Sequence, residues 1–216
     1  MHYPKNDHSG CRRCGTCCKD NSPALHLIDL PLIKDQHILK NQLITYRKGE
    51  WLKNNVEDTF VCIEQDIVKP IAKQNGCIFF DVEASACQIY ENRPIECRLQ
   101  ICDAPELLQE MYEKDRITRR DIISKESPFT ELICYHEEKC SLNFLENISP
   151  KSTYTLSEKT RVKILSMIQF EYHFRSTLYE RVGLQTSDMD FLFGRSVEII
   201  TRQMGFSFED DRSHNK

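Results

Sequence analysis

The chain has 216 residues, 40% hydrophobic and 29% charged, with a formal net charge of −4. That is enough chain for one soluble domain, or one domain plus an appendage, with a real core; it is not a disordered composition, and it supplies no overall basic field for nucleic acid. No apolar run approaches the roughly 18 residues of a membrane span, and the opening MHYPKNDHSGC lacks the apolar stretch of a secretory leader, so a cytoplasmic protein with no membrane or nucleic-acid partner is expected.

In chain order, a ten-residue lead-in precedes a tight cysteine knuckle at Cys11–Cys18. Residues 24–28, ALHLI, read as a short strand. Asp29-Leu-Pro opens a helix with Leu32, Ile33, Gln36 and Ile38 near one stripe. Residues 41–60 contain KGE and NN and read as loop and turn, and 61–69 fits neither pattern. CIFFD at 77–81 and ACQIY at 86–90 read as paired strands joined by a VEAS turn. Pro94 turns the residue before it away from helix, so ENRP begins a loop.

The remainder reads as helical. Asp103 followed by Glu106 is a capping-box pattern before the apolar Leu107, Leu108, Met111 and Tyr112. Ser127-Pro128 starts a helix with Leu132, Ile133 and His136 inward. Residues 156–182 place Val162, Leu165, Ile168, Tyr172, Tyr179 and Val182 close to a 3.6 period, and 188–204 repeats this with Leu192, Val197, Ile200 and Met204. A polar tail follows Phe208. The fold expected is α+β with helices dominant: a small cysteine-bound metal core with short strands, then a helical C-terminal half. Residues 1–102 form the cysteine-cluster region, and 103–216 a helical region packed on it.

Cysteine usage is the unusual feature. There are 11, nine of them at or before Cys102, with Cys134 and Cys140 the others. A reducing compartment does not hold such a set as stable disulfides, so metal binding or thiol chemistry is the better reading. The knuckle, CRRCGTCC, carries Cys11, Cys14, Cys17 and Cys18. Two residues between cysteines let both sulfurs of a pair face one ion, and three cysteines spaced this way match a ferredoxin loop around a cubane. The neighbouring Cys17 and Cys18 diverge; they serve two ions, two irons of one cluster, or one ion and one packing position. A second group, Cys77, Cys87, Cys97 and Cys102, lies beyond 58 intervening residues. Four thiols make one structural zinc or four-iron site, and eight make two. A dithiol redox role wants a βαβ context around its C-x-x-C, and the flanks show none.

Arg93 and Arg98 are candidate donors to cluster sulfurs, as outer partners that tune a metal centre; the plainer reading pairs them with Glu91 or Glu96. Cys62, Cys134 and Cys140 read as small packing residues rather than ligands. CYHEEKC at 134–140 reads as a helix face with one core cysteine ahead of a second metal site. Tyr90 and the single tryptophan, Trp51, read as packing residues. No Ser-His-Asp or P-loop pattern is present.

CRRCGTCC, GCIFFD and ACQIYENRPIECR together resemble the YkgJ-type cysteine-cluster family, also called the CxxCxxCC zinc- or iron-chelating domain. The resemblance spans residues 11–102 and rests on seven cysteines with Tyr90, Arg93, Pro94 and Arg98. It implies a metal centre carried by Cys11, Cys14, Cys17, Cys18, Cys77, Cys87 and Cys97, with Cys102 a looser eighth thiol. The family is also similar to part of the bacterial flagellin lysine N-methylase, which looks like an iron–sulfur protein. No glycine-rich loop for S-adenosylmethionine is present here, so methylase activity is not carried over. The expectation is an iron–sulfur protein in an accessory, electron-transfer or protein-modifying role with a protein partner; the alternatives are a structural zinc interaction module or a metallochaperone.

Overall fold

The structure, a computed structural model, describes residues 11–74, 76–102, 104–146, 148 and 156–206. The elements run α1 (Thr16–Asp20), α2 (Leu30–Lys34), β1 (Leu43–Tyr46), β2 (Trp51–Asn54), β3 (Thr59–Cys62), β4 (Ile67–Pro70), β5 (Ala72–Lys73), β6 (Gly76–Cys77), β7 (Phe80–Asp81) and β8 (Ala86–Cys87). There follow α3 (Ile95–Leu99), α4 (Glu106–Met111), α5 (Arg119–Ile122), α6 (Pro128–Lys139), α7 (Glu158–Val182), α8 (Thr186–Phe193) and α9 (Val197–Gln203). The fold is helix-dominated α+β with a helical C-terminal half, as the sequence predicts. Among the described residues, no helix is long and apolar enough to cross a membrane.

The chain forms two compact units. The first is Met1–Leu43 with Val68–Ile117, and the second is Ile44–Ile67 with Thr118–Lys216. The boundary passes through β1 and β4.

In the first unit β5–β8 form two-residue ladders. β5 pairs with β6 through Ala72↔Cys77 and Lys73↔Gly76, and β7 with β8 through Phe80↔Cys87 and Asp81↔Ala86. The predicted hairpin over VEAS is therefore real but short, and Cys77 belongs to a different ladder from Cys87. The predicted strand at 24–28 is not formed. Its backbone makes one isolated bridge, His26↔Arg116, and then a 3-10 turn over Leu27–Asp29. The cause is Asp29, whose Oδ2 accepts the His26 N–H at 3.0 Å and curls the chain back. The helix after Asp29 stops at Lys34, with Gln36 in the left-handed region at φ 60°. Asp103 lies outside the described residues; α4 forms after Pro105, and Leu107 on it is exposed.

The second unit holds most of the stretch 41–60 predicted as loop and turn, and part of 61–69, which fitted neither pattern. It contains a hairpin instead, β2 with β3, registered from Trp51↔Cys62 to Asn54↔Thr59. Asn54 Oδ1 accepts the Val56 and Glu57 N–H groups and closes the turn, so the polar NN pair is a turn inside a hairpin. Ser127 caps α6 by accepting the Phe129 N–H, as predicted from Ser-Pro. The helix predicted over 188–204 is two helices, broken at Gly194 with φ 74°. A Cβ at Gly194 would meet the Thr45 carbonyl at 2.7 Å, so this is a close approach as well as a turn. Cys140, Leu142, Leu145, Ile164, Met167, Val197 and Ile200 form a hydrophobic core, with Trp51 packed on it and bonded through Nε1 to the Leu145 carbonyl at 2.8 Å.

α7 buries a different face from the one predicted. Val162, Leu165, Tyr172, Tyr179 and Val182 are exposed, and Ile164, Met167, Glu171 and Leu178 are buried. The inward Glu171 is satisfied from three sides. His136 Nε2 lies 2.9 Å from Oε1, Arg175 Nη2 lies 3.1 Å from Oε1, and the Val197 N–H at the start of α9 donates to Oε2 at 2.6 Å. A buried cation, Arg119, pairs with Asp66 at 2.9 Å and with Glu137, and donates to the Leu192 carbonyl at 2.7 Å.

Candidate metal centre

The cysteines divide by unit. Cys11, Cys14, Cys17, Cys18, Cys77, Cys87, Cys97 and Cys102 all lie in the first unit, and Cys62, Cys134 and Cys140 in the second. Cys140 is a fully buried core residue at the end of α6, as its packing role requires, whereas Cys134 is exposed on that helix. In the CYHEEKC segment His136 bonds Glu171 and Glu137 pairs with Arg119 and Arg120, so its polar groups serve packing.

Gly15, at φ 76°, turns the knuckle into the single turn α1, where Cys17 and Cys18 sit; the Lys19 N–H closes that turn on the Gly15 carbonyl at 2.9 Å. Gly15 lies flat on Phe80: a Cβ there would stand 2.6 Å from the ring. α1 packs on β6. Gly76, at φ 102°, meets the Cys18–Lys19 backbone so closely that a Cβ would overlap the Cys18 carbonyl oxygen and sit 2.5 Å from Lys19 Cα. Two glycines therefore let the knuckle lie directly against the ladders that carry Cys77 and Cys87.

Cys97 comes from α3. Pro94 ends the turn that follows Tyr90–Asn92 and precedes α3. Asp29 Oδ1 accepts the Ile95 N–H at 2.9 Å, and Glu96 Oε2 accepts the Ala24 N–H at 2.7 Å. Glu96 Oε1 also lies 3.1 Å from His26 Nε2, while His26 Nδ1 lies 2.6 Å from the Lys114 carbonyl. That carbonyl only accepts, so Nδ1 carries a proton, and the contact with Glu96 needs a second one on the imidazole or the carboxyl. Burial, partly offset by the His26 and Ile95 N–H groups, pushes the Asp29 carboxyl up to about 6. Cys102 is exposed in the turn between Ile101 and Ala104.

The thiols feel one another. Burial holds the Cys77, Cys87 and Cys97 thiols above the usual range, Cys97 furthest, and charge on neighbouring sulfurs adds to it: Cys17 at Cys77, Cys77 and Cys11 at Cys87, and all of Cys77, Cys87 and Cys17 at Cys97. The Cys18 thiol donates to the Cys17 sulfur, which holds Cys17 down to about 6 and Cys18 high, with Cys97 and Cys87 raising Cys18 further. Cys14 Sγ lies 3.4 Å from the Thr16 hydroxyl, which keeps its thiol low. Sulfurs of the knuckle and of the second group thus share one electrostatic neighbourhood. Among the described residues, no three His, Cys, Asp or Glu side chains stand in an arrangement ready to hold a metal ion.

The two arginines donate to backbone carbonyls. Arg93 Nη1 reaches the Tyr90 carbonyl at 3.2 Å, and Arg98 reaches the carbonyls of Arg93 at 2.8 Å and Glu91 at 3.1 Å. They brace the turn between Cys87 and Cys97, and Arg93 is close enough to favour a Cys87 thiolate. Sequence reasoning did not single out Lys69. Its ammonium donates to Asn21 Oδ1 at 3.1 Å; burial pulls it below the usual lysine range, Glu96 opposes this, and Cys97 and Cys77 lie within its field. A lysine inside the apolar run IVKP was the one signal for it.

Residues 10–120 match the model of the CxxCxxCC family, described as "putative zinc- or iron-chelating domain". The chain belongs to this family. No curated protein matches it, and no solved structure does. The matched stretch contains all eight cysteines of the first unit, and a zinc- or iron-chelating domain supports a metal cofactor for this chain. The donor set suits such a group: burial and neighbouring sulfur charge hold the Cys18, Cys77, Cys87 and Cys97 thiols protonated, and a metal ion would displace those protons and turn the repulsion into ligation. The close contacts at Gly15 and Gly76 seat the knuckle on the ladders that carry Cys77 and Cys87.

Proposed function

We propose that the first unit carries a metal centre shared by the knuckle cysteines and by Cys77, Cys87 and Cys97, with Cys102 as a looser eighth thiol, and that the metal is an iron–sulfur cluster. The observation that carries this reading is the seating of Gly76 on the Cys18–Lys19 backbone, which draws sulfurs separated by 58 residues into one neighbourhood. Three cysteines at intervals of two, followed at once by a fourth, suit a loop wrapping a cubane. When bound, a cluster supplies electron transfer at a potential set by its surroundings. The chain's own part is to bind it through thiolate, to offset its charge with Lys69 and Arg93, and to keep water from one side with the buried Phe79, Phe80 and Ile95. The role is that of an accessory, electron-transfer or protein-modifying factor of the cytoplasm, acting with a protein partner.

The number of thiols favours a second reading. Eight exceed the four of one cubane and would satisfy two zinc ions, as in a structural interaction module or a metallochaperone. Anaerobic purification from iron-replete cells separates the two. Brown protein with iron and acid-labile sulfide in equal amounts is the expected result. Colourless protein with stoichiometric zinc decides for the second reading.

A further inference from the structure

Tyr90 carries two guanidinium groups. Arg13 lies 4.0 Å and Arg93 3.9 Å from its ring centroid. Two like-charged planar groups cannot share one face of a ring at that distance, so the phenol is sandwiched between them. The partners come from different places. Arg13 lies inside the knuckle, between Cys11 and Cys14, with its backbone in the left-handed region at φ 52°. Tyr90 and Arg93 lie in the turn between Cys87 and Cys97. Arg93 is itself fastened: its Nη1 holds the Tyr90 carbonyl, and Arg98 holds the Arg93 and Glu91 carbonyls. The receiving half of the stack is therefore rigid, while Arg13, on the exposed knuckle, is the half that can open.

We infer that the Arg13–Tyr90–Arg93 stack is a clasp that holds the knuckle closed over the second cysteine group and sets how slowly a bound metal leaves. This rests on the reading that the two groups share a metal. Gly15 on Phe80 and Gly76 on Cys18 form the seat; neither grips the Cys11–Cys14 end of the knuckle. The stack does, and Tyr90 acts as a positioning residue with no need to touch the metal. Phenylalanine keeps the aromatic face that attracts a cation, and leucine removes it.

The test uses the full chain loaded with Co2+, whose visible thiolate bands report ligation, followed by transfer of the metal to excess EDTA. Tyr90→Leu is expected to keep the bands and release cobalt about tenfold faster, as the loss of two cation–π contacts implies. Arg13→Ala, at an exposed position, is expected to release it about threefold to fivefold faster, and Tyr90→Phe, which keeps the aromatic face but loses the hydroxyl that meets Arg13, at a rate between wild type and Tyr90→Leu. A purely packing role for Tyr90 would leave Arg13→Ala at the wild-type rate. Wild-type release from Arg13→Ala, or release from Tyr90→Phe as fast as from Tyr90→Leu, overturns the clasp. Cys87→Ser is the separate check on the shared centre. If it keeps the wild-type bands, or if the wild type shows none, the shared centre fails and the clasp falls with it.

Discussion

Gly76 is where a single hydrogen atom decides whether the two cysteine groups meet. Its φ of 102° is strained for any other residue, and its missing Cβ is where the Cys18 carbonyl and Lys19 Cα sit. Backbone fills that space, so no side-chain rotation relieves the overlap. Gly76→Ala should cost about 1–3 kcal/mol from the dihedral alone, and more as the knuckle is pushed away. Gly183 is the control. It ends α7 at φ 76°, and a methyl group added there would meet nothing within 4 Å, so Gly183→Ala should cost only about 1 kcal/mol and leave metal content intact. Chemical denaturation with metal analysis reads both. Equal metal content in Gly76→Ala and wild type would remove the seat from the argument. The same scale shows what sequence could reveal. The cysteine spacing was legible because tight clusters have few innocent explanations. Lys69, His26 and Glu96 were not, because a lone charged residue becomes structural only when a distant element closes over it.

At the scale of elements, α7 shows how an apolar pattern misleads. The helix carries apolar side chains around most of its circumference, so periodicity alone selected Val162, Leu165 and Tyr172, which are exposed. The inward face is fixed by a charge, Glu171, and by the groups that meet it from α6 and α9. The stretch 44–67 was illegible for the opposite reason: Lys, Asn and Glu mask the short β2–β3 hairpin, whose register only Trp51 and its neighbours hint at. By contrast α6 was readable from Ser127-Pro128, a local signal that needs no distant partner. The Glu171 site also predicts a pH dependence. Burial, with Arg47 and Arg175 nearby, pulls the His136 imidazole down to about 4 against the pull of Glu171, so it is neutral when folded and donates from Nε2. An unfolded histidine titrates near 6.5, so between these values the unfolded chain binds a proton that the folded one refuses. The contribution of His136 is thus full above about pH 6.5 and falls as pH drops toward 4, by at most about 3 kcal/mol, while the raised Asp29 carboxyl acts in the opposite direction below about pH 6. Glu171 adds to the fall. Burial raises its carboxyl, but His136, Arg175 and Arg47 overcome that and hold it down to about 2, so its contribution fades below the ordinary 4.5. Urea melts of the metal-free chain from pH 7 to 4 should show the decline, and His136→Gln should flatten its upper part. A His136→Gln profile that declines as steeply as the wild type contradicts the assignment.

At the scale of the molecule, the two units differ in what holds them. The second has a hydrophobic core around Ile164, Met167, Val197 and Ile200, reinforced by Arg119 and Glu171, which are bonded within that unit. The first has ladders of two residues, helices of five or six, and eight cysteines. Short ladders and single-turn helices are marginal on their own, so a metal that ties the knuckle to Cys77, Cys87 and Cys97 contributes its binding energy to the folding of that unit. Removing the metal should then act locally. After anaerobic treatment with a strong chelator, hydrogen exchange is expected to quicken in α1, in β5–β8 and in α3, while α7 and α9 keep their protection. Cys14→Ser and Cys87→Ser should reproduce this pattern without chelator, and Cys62→Ser, in the second unit, should retain full metal content and wild-type exchange throughout. The magnitude matters as much as the place. The change should be largest in α1, which buries no residue of its own, and smaller in β7 and α3, where Phe80 and Ile95 are packed without help from a metal. Protection in the first unit that is unchanged by chelation would mean that its packing suffices without metal, and that the cysteines bind a cargo instead of a structural or redox centre.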